Sequence, residues 1–164
     1  MRNLPQRRSI RRFDWDYSSP CTYFITITTR RGRNHFGAND RGRLTHSPAG
    51  IMVADTWLEI PGQFPAARLD SFIVMPNHLH GIIRIDRLPR CQRQGIGWIV
   101  MAFKSRTTVL YIRGVREAGW PPFDGRLWHR NYYERIVYTP TALTRTRSYI
   151  NNNPEIHWRR TIGK

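Results

Sequence analysis

The sequence predicts an α+β fold: a ferredoxin-like, split βαβ sandwich with an antiparallel four-stranded sheet, helices over one face and a C-terminal helix that carries a tyrosine. Two observations predict it. The 164 residues suffice for one domain with a proper core. Strand-like and helix-like segments follow one another in the order β-α-β-β-α-β, and one more helix comes after them. We therefore expect a basic N-terminal arm over residues 1–20 and a single domain over residues 21–164.

Short runs rich in β-branched and aromatic residues predict the four strands. The first run alternates between apolar and polar side chains, and the second and third are separated by Pro76-Asn77, where a tight change of direction is expected. The predicted strands cover residues 23–29, 69–75, 80–85 and 127–137, and the predicted loops cover residues 30–39 and 86–97.

Two helices are predicted between these strands. Apolar residues recur at helical spacing over about residues 48–58, ahead of Pro61-Gly62, and again over about residues 99–112, ahead of Gly114. Residues 120–126 match no element.

A pair of histidines stands where the second predicted strand passes into the third. Residues 75–81 read Met-Pro-Asn-His-Leu-His-Gly. In a strand, positions i and i+2 point to the same side, so His78 and His80 project together and Leu79 faces the core. Two imidazoles on one sheet face can hold a divalent metal ion. A His-x-His alone is more often part of an ordinary polar strand face, so the metal interpretation requires a partner elsewhere in the chain.

The last helix carries the partner for these histidines. Thr139 is a good N-cap, Pro140 suits the first helical position, and Pro154 is expected to end the helix at or just before Asn153. Within this helix, Tyr149 and Asn153 are four residues apart and share a face. A phenol and an amide oxygen set over the two histidines would make a nucleophile beside a metal ion with three protein ligands.

Other roles are open for the aromatic and imidazole side chains. Tyr149 could simply pack a helix onto the sheet. Tyr132 and Tyr133 compete as nucleophiles, but they lie on a predicted strand without an amide partner. Because side chains alternate along a strand, we expect one of them in the core and the other at the surface or on DNA. His129 and His157 lack partners in the sequence and are expected to be structural or to contact DNA.

Four segments together resemble one known family, the single-tyrosine HUH transposases, and within it the REP-associated tyrosine transposases. The resemblance spans about residues 20–158, with the segments in family order. They are the Met-Pro-Asn-His-Leu-His-Gly stretch, Phe103-Lys104-Ser105, the Trp-His-Arg-Asn-Tyr-Tyr-Glu stretch at residues 128–134, and the Tyr149-Ile150 helix that leads to Asn153-Pro154.

The resemblance implies a mechanism and a substrate. Tyr149 would be the nucleophile, His78 and His80 metal ligands, and Asn153 the third ligand. The ligand set alone suits Mg²⁺, Mn²⁺ or Zn²⁺, and the resemblance implies Mg²⁺ or Mn²⁺. It also implies a covalent 5′-phosphotyrosine, a free 3′-hydroxyl, and a hairpin DNA of repeated palindromic elements as the substrate.

The charge balance predicts a polyanionic partner. The chain has 27 Lys+Arg against 11 Asp+Glu, a net charge of +16, and 25 of the 27 basic residues are arginine. Guanidinium groups bind phosphate and stack on bases, so single-stranded or hairpin DNA is the expected partner. The candidate DNA contacts are Arg7, Arg8, Arg11 and Arg12 in the arm, and Lys104, Arg106, Arg145 and Arg147 in the helices. The same charge and element order also suit a non-catalytic nucleic-acid-binding module of RNA-recognition-like fold.

Cysteine usage and hydropathy give the remaining expectations. Cys21 and Cys91 are far apart and form no metal-binding spacing, which is typical of the reducing cytoplasm. No stretch approaches the roughly 18 to 20 apolar residues that span a bilayer, so no membrane partner is expected. The sequence does not distinguish a monomer from a homodimer.

Overall fold

A computed structural model describes residues 20–86 and 95–162, the last two without their side chains. Residues 1–19 of the predicted arm lie outside the described residues, together with its arginines Arg7, Arg8, Arg11 and Arg12. In chain order the elements are β1 (Cys21–Thr28), β2 (Gly37–Asp40), β3 (Arg43–His46), α1 (Pro48–Leu58), α2 (Ile60–Gln63), β4 (Ala67–Met75), β5 (His78–Ile85), α3 (Ile96–Ala118), β6 (Tyr133–Ile136), α4 (Pro140–Asn151) and α5 (Asn153–Ile162).

Four of the strands form one sheet in the order β4-β5-β1-β6. Every neighbouring pair in this sheet is antiparallel. Helices α1 and α2 connect β1 to β4, and α3 connects β5 to β6. This is the connectivity of the ferredoxin-like, split βαβ motif, so the predicted fold class is confirmed.

The larger core lies on the sheet face that α1 and α3 cover. Tyr23, Ile25 and Ile27 of β1 alternate onto this face and are fully buried, as are Leu79 and Ile83 of β5. Side chains alternate across a strand, so the intervening residues of β1 and β5, including both histidines, point to the opposite face.

That opposite face carries a smaller apolar cluster beneath α4. Ile150 of α4 is fully buried and packs with Phe24 and Ile82 of the sheet and with Val137. Helices therefore lie on both faces, whereas the sequence predicted them on one. The position of α4 determines where Tyr149 stands relative to β5.

Gly81, the residue after the two histidines, is required by packing in the larger core. A Cβ at this position would lie 2.3 Å from Cζ2 of Trp57, far inside van der Waals contact, and Trp57 is fully buried. The glycine thus lets the indole of α1 reach the backbone of β5.

The stretch 30–39, predicted to be a loop, contributes to a hairpin instead. Strands β2 and β3 pair with each other in a separate two-stranded sheet. The turn between them, Arg41-Gly42, has positive φ at both residues, 50° and 82°, as in a type I′ turn. Arginine is a rare residue at such a position, so the turn was hard to predict.

The fourth strand of the sheet is shorter than predicted, spanning Tyr133–Ile136 rather than residues 127–137. Before it, Trp128 makes only an isolated bridge with Thr29. The next two carbonyls, of His129 and Arg130, accept hydrogen bonds from Lys104 Nζ at 2.7 and 3.0 Å. Because these carbonyls bind a side chain of α3, they do not extend the ladder with β1.

Helix α3 is longer than predicted and runs through Gly114. A Cβ at Gly114 would lie 2.3 Å from Cε3 of Trp120, so this glycine makes room for an indole and does not end the helix. The helix ends at Gly119, whose φ of 66° is left-handed. None of the helices in the described part of the chain is both long and apolar enough to cross a membrane.

Candidate active site

His78 and His80 lie side by side on the sheet face beneath α4, as their spacing in β5 predicts. Their ring centroids are 4.6 Å apart. Nδ1 of His78 is 2.6 Å from Oδ1 of Asn77, and Nδ1 of His80 is 2.8 Å from Oγ1 of Thr26. With Nδ1–H donating to these oxygens, each imidazole keeps the lone pair of Nε2 for a metal ion, the arrangement usual for metal-binding histidines.

Burial keeps both imidazoles neutral. It lowers the pKa of His78 to about 4, with a further contribution from the charge of His157, while a side-chain contact with Asn153 offsets part of the shift. Burial likewise lowers the pKa of His80 to about 3, helped by the charge of His78. Since a neutral imidazole is the metal-binding form, both rings are in that form at neutral pH.

Tyr149 is positioned by α4. The helix begins as predicted, with the hydroxyl of Thr139 accepting a hydrogen bond from the amide of Ala142 at 3.1 Å. The burial of Ile150 against the sheet then places the ring of Tyr149 with its centroid 5.4 Å from that of His80 and 6.0 Å from that of Phe24. The predicted nucleophile and the histidine pair are therefore adjacent.

Asn153 lies at the same site, but in a local structure that was not predicted from the sequence. Helix α4 ends at Asn151, Asn152 leaves the helical conformation, and Asn153 begins a second helix, α5, in which Pro154 occupies the tolerated first turn. The prediction that Pro154 ends the helix is thus right for α4 but missed α5. The kink turns the Asn153 side chain inward, where it is only 4% exposed.

The Asn153 amide provides the test of whether these residues fit a metal ion. Its Oδ1 is buried and accepts no hydrogen bond of normal geometry within the described residues. The same side chain contacts His78 closely enough to raise the pKa of that imidazole, so the amide oxygen stands beside one of the two neutral rings and keeps a lone pair for a cation. The three predicted donors therefore fit a divalent cation.

His157 also lies beside the histidine pair. Its ring centroid is 5.9 Å from that of His78, so the fold gives it a neighbour that was not evident from the sequence, and its expected role, structural or in contact with DNA, stays a prediction. It occupies position i+4 from Asn153 on α5, a spacing that could have indicated a shared helix face. Across residues 20–86 and 95–162, no three His, Cys, Asp or Glu side chains come together as a metal cluster. The Asn153 amide therefore stays the predicted third donor.

A cleft of about 330 Å³ opens above the histidine and tyrosine rings. Three residues that line it were missed from the sequence, Phe24, Thr26 and Arg135, and Arg135 of β6 is the one with a charge. Its Nη2 donates to Oγ1 of Thr146 at 3.0 Å, and its guanidinium lies 5.6 Å from the ring centroid of Phe24. The cleft is lined by Phe24, Thr26, His80, Tyr133, Arg135 and Tyr149.

The two competing tyrosines lie in different environments, one in the core and one at the surface, as expected. Tyr132 precedes β6 and packs against the larger core, whereas Tyr133 is 51% exposed and lines the cleft. Neither has an amide four residues further along a helix.

Two of the predicted phosphate contacts bind carboxylates of the protein itself. Arg106 forms an ion pair with Glu59 at 2.6 Å. Arg147 donates two hydrogen bonds to Asp70, at 2.8 and 2.6 Å, and these bonds lower the pKa of that carboxyl below its usual range. Both arginines therefore already have anionic partners.

The other two predicted contacts differ from each other. Lys104 is half-buried on α3, and burial together with the charge of Arg126 lowers its pKa to about 8. Arg145 is exposed on α4. Their role as DNA contacts stays a prediction, as do those of Arg106 and Arg147.

Comparison with known proteins gives a relative and two solved structures. An uncharacterized protein of Haemophilus influenzae is 36% identical over 168 aligned residues, covering 92% of this chain and 89% of the relative. A REP-associated tyrosine transposase, solved bound to a REP hairpin, is 17% identical with a TM-score of 0.62, covering 91% of this chain and 76% of that one. A putative transposase of Deinococcus radiodurans R1 is 17% identical with a TM-score of 0.52, covering 82% and 91%. No family model matches.

Proposed function

We propose a function from one premise: this chain belongs to the same family as the Haemophilus influenzae protein, and it has the fold of the REP-associated tyrosine transposase. It is a DNA-processing enzyme, a transposase-type nuclease and strand transferase. It cuts one strand near a hairpin of repeated palindromic elements and forms a covalent 5′-phosphotyrosine at Tyr149. The hairpin substrate is carried over from the solved transposase, which is bound to a REP hairpin.

The observation that supports this proposal most is the meeting of three unlike groups on one sheet face. The ring centroid of Tyr149 is 5.4 Å from that of His80, which is 4.6 Å from that of His78, and the buried side chain of Asn153 contacts His78. A tyrosine that served only to pack α4 would not require two neutral imidazoles and a buried amide around it.

His78, His80 and Asn153 would hold the ion, Mg²⁺ or Mn²⁺. When bound, such an ion supplies Lewis acidity that orients the scissile phosphate and stabilises its developing charge. Thr26 and Asn77 keep the imidazoles in the tautomer that ligates.

The covalent step belongs to Tyr149 and the cleft around it. The phenol oxygen attacks the phosphorus and gives up its proton to water in the cleft. A bond from tyrosine to phosphorus forms as the bond from phosphorus to the 3′ oxygen breaks, and that oxygen takes a proton and leaves as a hydroxyl. Arg135 is placed to hold a non-bridging phosphate oxygen. Because the phosphodiester energy is kept in the adduct, rejoining needs no ATP.

The test is a search for the adduct. The protein is incubated with Mn²⁺ and single-stranded hairpins made from palindromic repeats of its own genome, and denaturing gels and mass spectrometry follow the products. Tyr149→Phe is the decisive variant, and Tyr133→Phe is the matched control because Tyr133 lines the same cleft. We expect an adduct at Tyr149 that is lost in Tyr149→Phe and with chelator, and that persists in Tyr133→Phe.

The other results are equally informative. Cleavage without an adduct, unchanged in Tyr149→Phe, would refute the tyrosine mechanism and indicate water activated by a metal ion. Tight DNA binding with no cleavage would refute the enzyme proposal and favour the non-catalytic binding module.

A further inference from the structure

A second opening lies away from the Tyr149 cleft, between α3 and the irregular segment that leads to β6. It is larger than the cleft, at about 610 Å³. Because α3 packs on the sheet face opposite α4, this groove and the Tyr149 cleft are on opposite sides of the sheet. The polar residues that line the groove are Lys104, Ser105, Thr108, Arg126, His129 and Arg130.

The charges of the groove are all of one sign. Arg126 and Arg130 are exposed, and neither guanidinium forms a hydrogen bond or ion pair within residues 20–86 and 95–162. Lys104 lies with them and uses two of its three N–H donors on the carbonyls of His129 and Arg130. No acidic residue is among those that line the groove. Three cations without a carboxylate form a site for a chain of phosphates.

The rest of the lining suits a single strand. Val109 is 63% exposed on one wall, and Leu127 and Trp128 are buried beneath the groove. Ser105 and Thr108 add hydroxyls. Proteins that hold single strands combine cations that follow the backbone with apolar or aromatic surface against the bases; here the cations stand beside the exposed apolar side chain of Val109.

The groove also connects with the cleft. The segment that forms its outer wall continues through residues 131–132 into β6, the edge strand of the sheet. Tyr133 and Arg135 of that strand line the Tyr149 cleft on the other face. The two openings are therefore linked along the chain at the edge of the sheet, where the side chain of Tyr133 is exposed.

We propose that this groove binds the single-stranded DNA that adjoins the hairpin, with Lys104, Arg126 and Arg130 on its phosphates. The inference rests on the proposed function, since it assigns the groove to the same substrate. The single-stranded part of the substrate would then contribute to the affinity, through residues that take no part in the covalent step.

The test measures binding in the Tyr149→Phe background, so that no cleavage intervenes. The probes are a fluorescein-labelled hairpin with a single-stranded tail of about ten nucleotides on either side and the same hairpin without tails. Anisotropy titrations at several NaCl concentrations compare Arg126→Ala/Arg130→Ala with Arg43→Ala/Arg116→Ala. The control pair removes the same charge from exposed positions that line neither the groove nor the cleft.

We expect the groove pair to weaken binding of the tailed probe by roughly 25-fold at about 0.1 M salt and to lower the salt slope by about 1.4, because two phosphate contacts to a single strand are lost. Binding of the tailless probe should match that of the control pair. A loss no greater than that of the control pair, or equal affinity of the unsubstituted groove for both probes, would overturn the inference.

Adduct formation by the Tyr149 protein is scored separately. If no adduct forms while the tailed probe still binds through the groove, the proposed chemistry fails and the groove stands. If the adduct forms and the groove pair behaves like its control, only the groove inference fails.

Discussion

Replacing Thr26 by valine removes the hydroxyl that faces His80 and leaves the size of the side chain nearly unchanged. Nδ1 of His80 is 2.8 Å from Oγ1 of Thr26, and His80 is only 6% exposed, so water cannot readily replace the lost acceptor. Without it, the tautomer that carries its proton on Nε2 becomes competitive, and that tautomer cannot bind a metal ion through Nε2.

The size of the effect follows from the energy of one hydrogen bond. A net contribution of about 1 to 1.5 kcal/mol corresponds to a shift between the tautomers of roughly tenfold. We therefore expect the Kd for Mn²⁺ to rise about tenfold, the lower end of what the loss of such a supporting group costs. Without an ion, the unsatisfied N–H should lower the free energy of unfolding by about 1 to 3 kcal/mol.

Titration of free Mn²⁺ by electron paramagnetic resonance gives the Kd, and urea unfolding in chelator gives the stability. Thr26→Ser keeps the oxygen and should bind Mn²⁺ like the unmodified protein. Thr22→Val makes the same chemical change on the same strand and face, four residues from Thr26, and should leave the Kd unchanged. If Thr26→Val binds Mn²⁺ as tightly as these controls, the assigned role of Thr26 is refuted.

Three further predictions follow from other contacts. Gly81→Ala forces a Cβ against Trp57 and should lower the free energy of unfolding in urea by about 1 to 3 kcal/mol. Gly62→Ala, with open space around its Cβ, should lower it far less, and equal losses would show that Trp57 readily moves. Arg135→Ala should slow adduct formation about 10- to 100-fold at saturating DNA, while Arg145→Ala should leave that rate unchanged. A larger loss of rate in Arg145→Ala than in Arg135→Ala would refute the role of Arg135 at the phosphate. The pKa of Lys104 is lowered to about 8, so most of its positive charge is lost between pH 7 and pH 9, and the affinity for tailed DNA should fall about threefold. Lys104→Arg should abolish this dependence, and a drop that persists in that variant would assign the titration to another group.

The features that were predicted correctly from the sequence are those set by local periodicity and capping. The alternation of β5 put His78 and His80 on one face because side-chain direction in a strand depends only on spacing. The Thr139-Pro140 start of α4 was predictable because a cap acts within one turn. Tyr149 was identified by its neighbours in the sequence and by family resemblance, and the helix then placed it beside His80.

The features that were missed depend on contacts between distant parts of the chain. Thr26 meets His80 only because β1 and β5 pair with each other in that register, and Arg135 enters the cleft only because β6 pairs with β1 at the sheet edge. The hairpin of β2 and β3 is polar and has an unusual turn residue, so its signal resembled that of a loop. The late start of β6 depends on Lys104, a residue of another element.

The kink at Asn152 has a consequence for how the site can be altered. Tyr149 is anchored through Ile150 to the main sheet, whereas α5, which begins with Asn153, is anchored to the β2–β3 hairpin, where Nδ2 of Asn39 donates to the carbonyl of Pro154 at 2.8 Å. Tyr149 and Asn153 are therefore held in place by different parts of the structure. Changes in the hairpin can shift Asn153, the predicted third donor, and changes under α4 can shift the hydroxyl of Tyr149, each with little effect on the other.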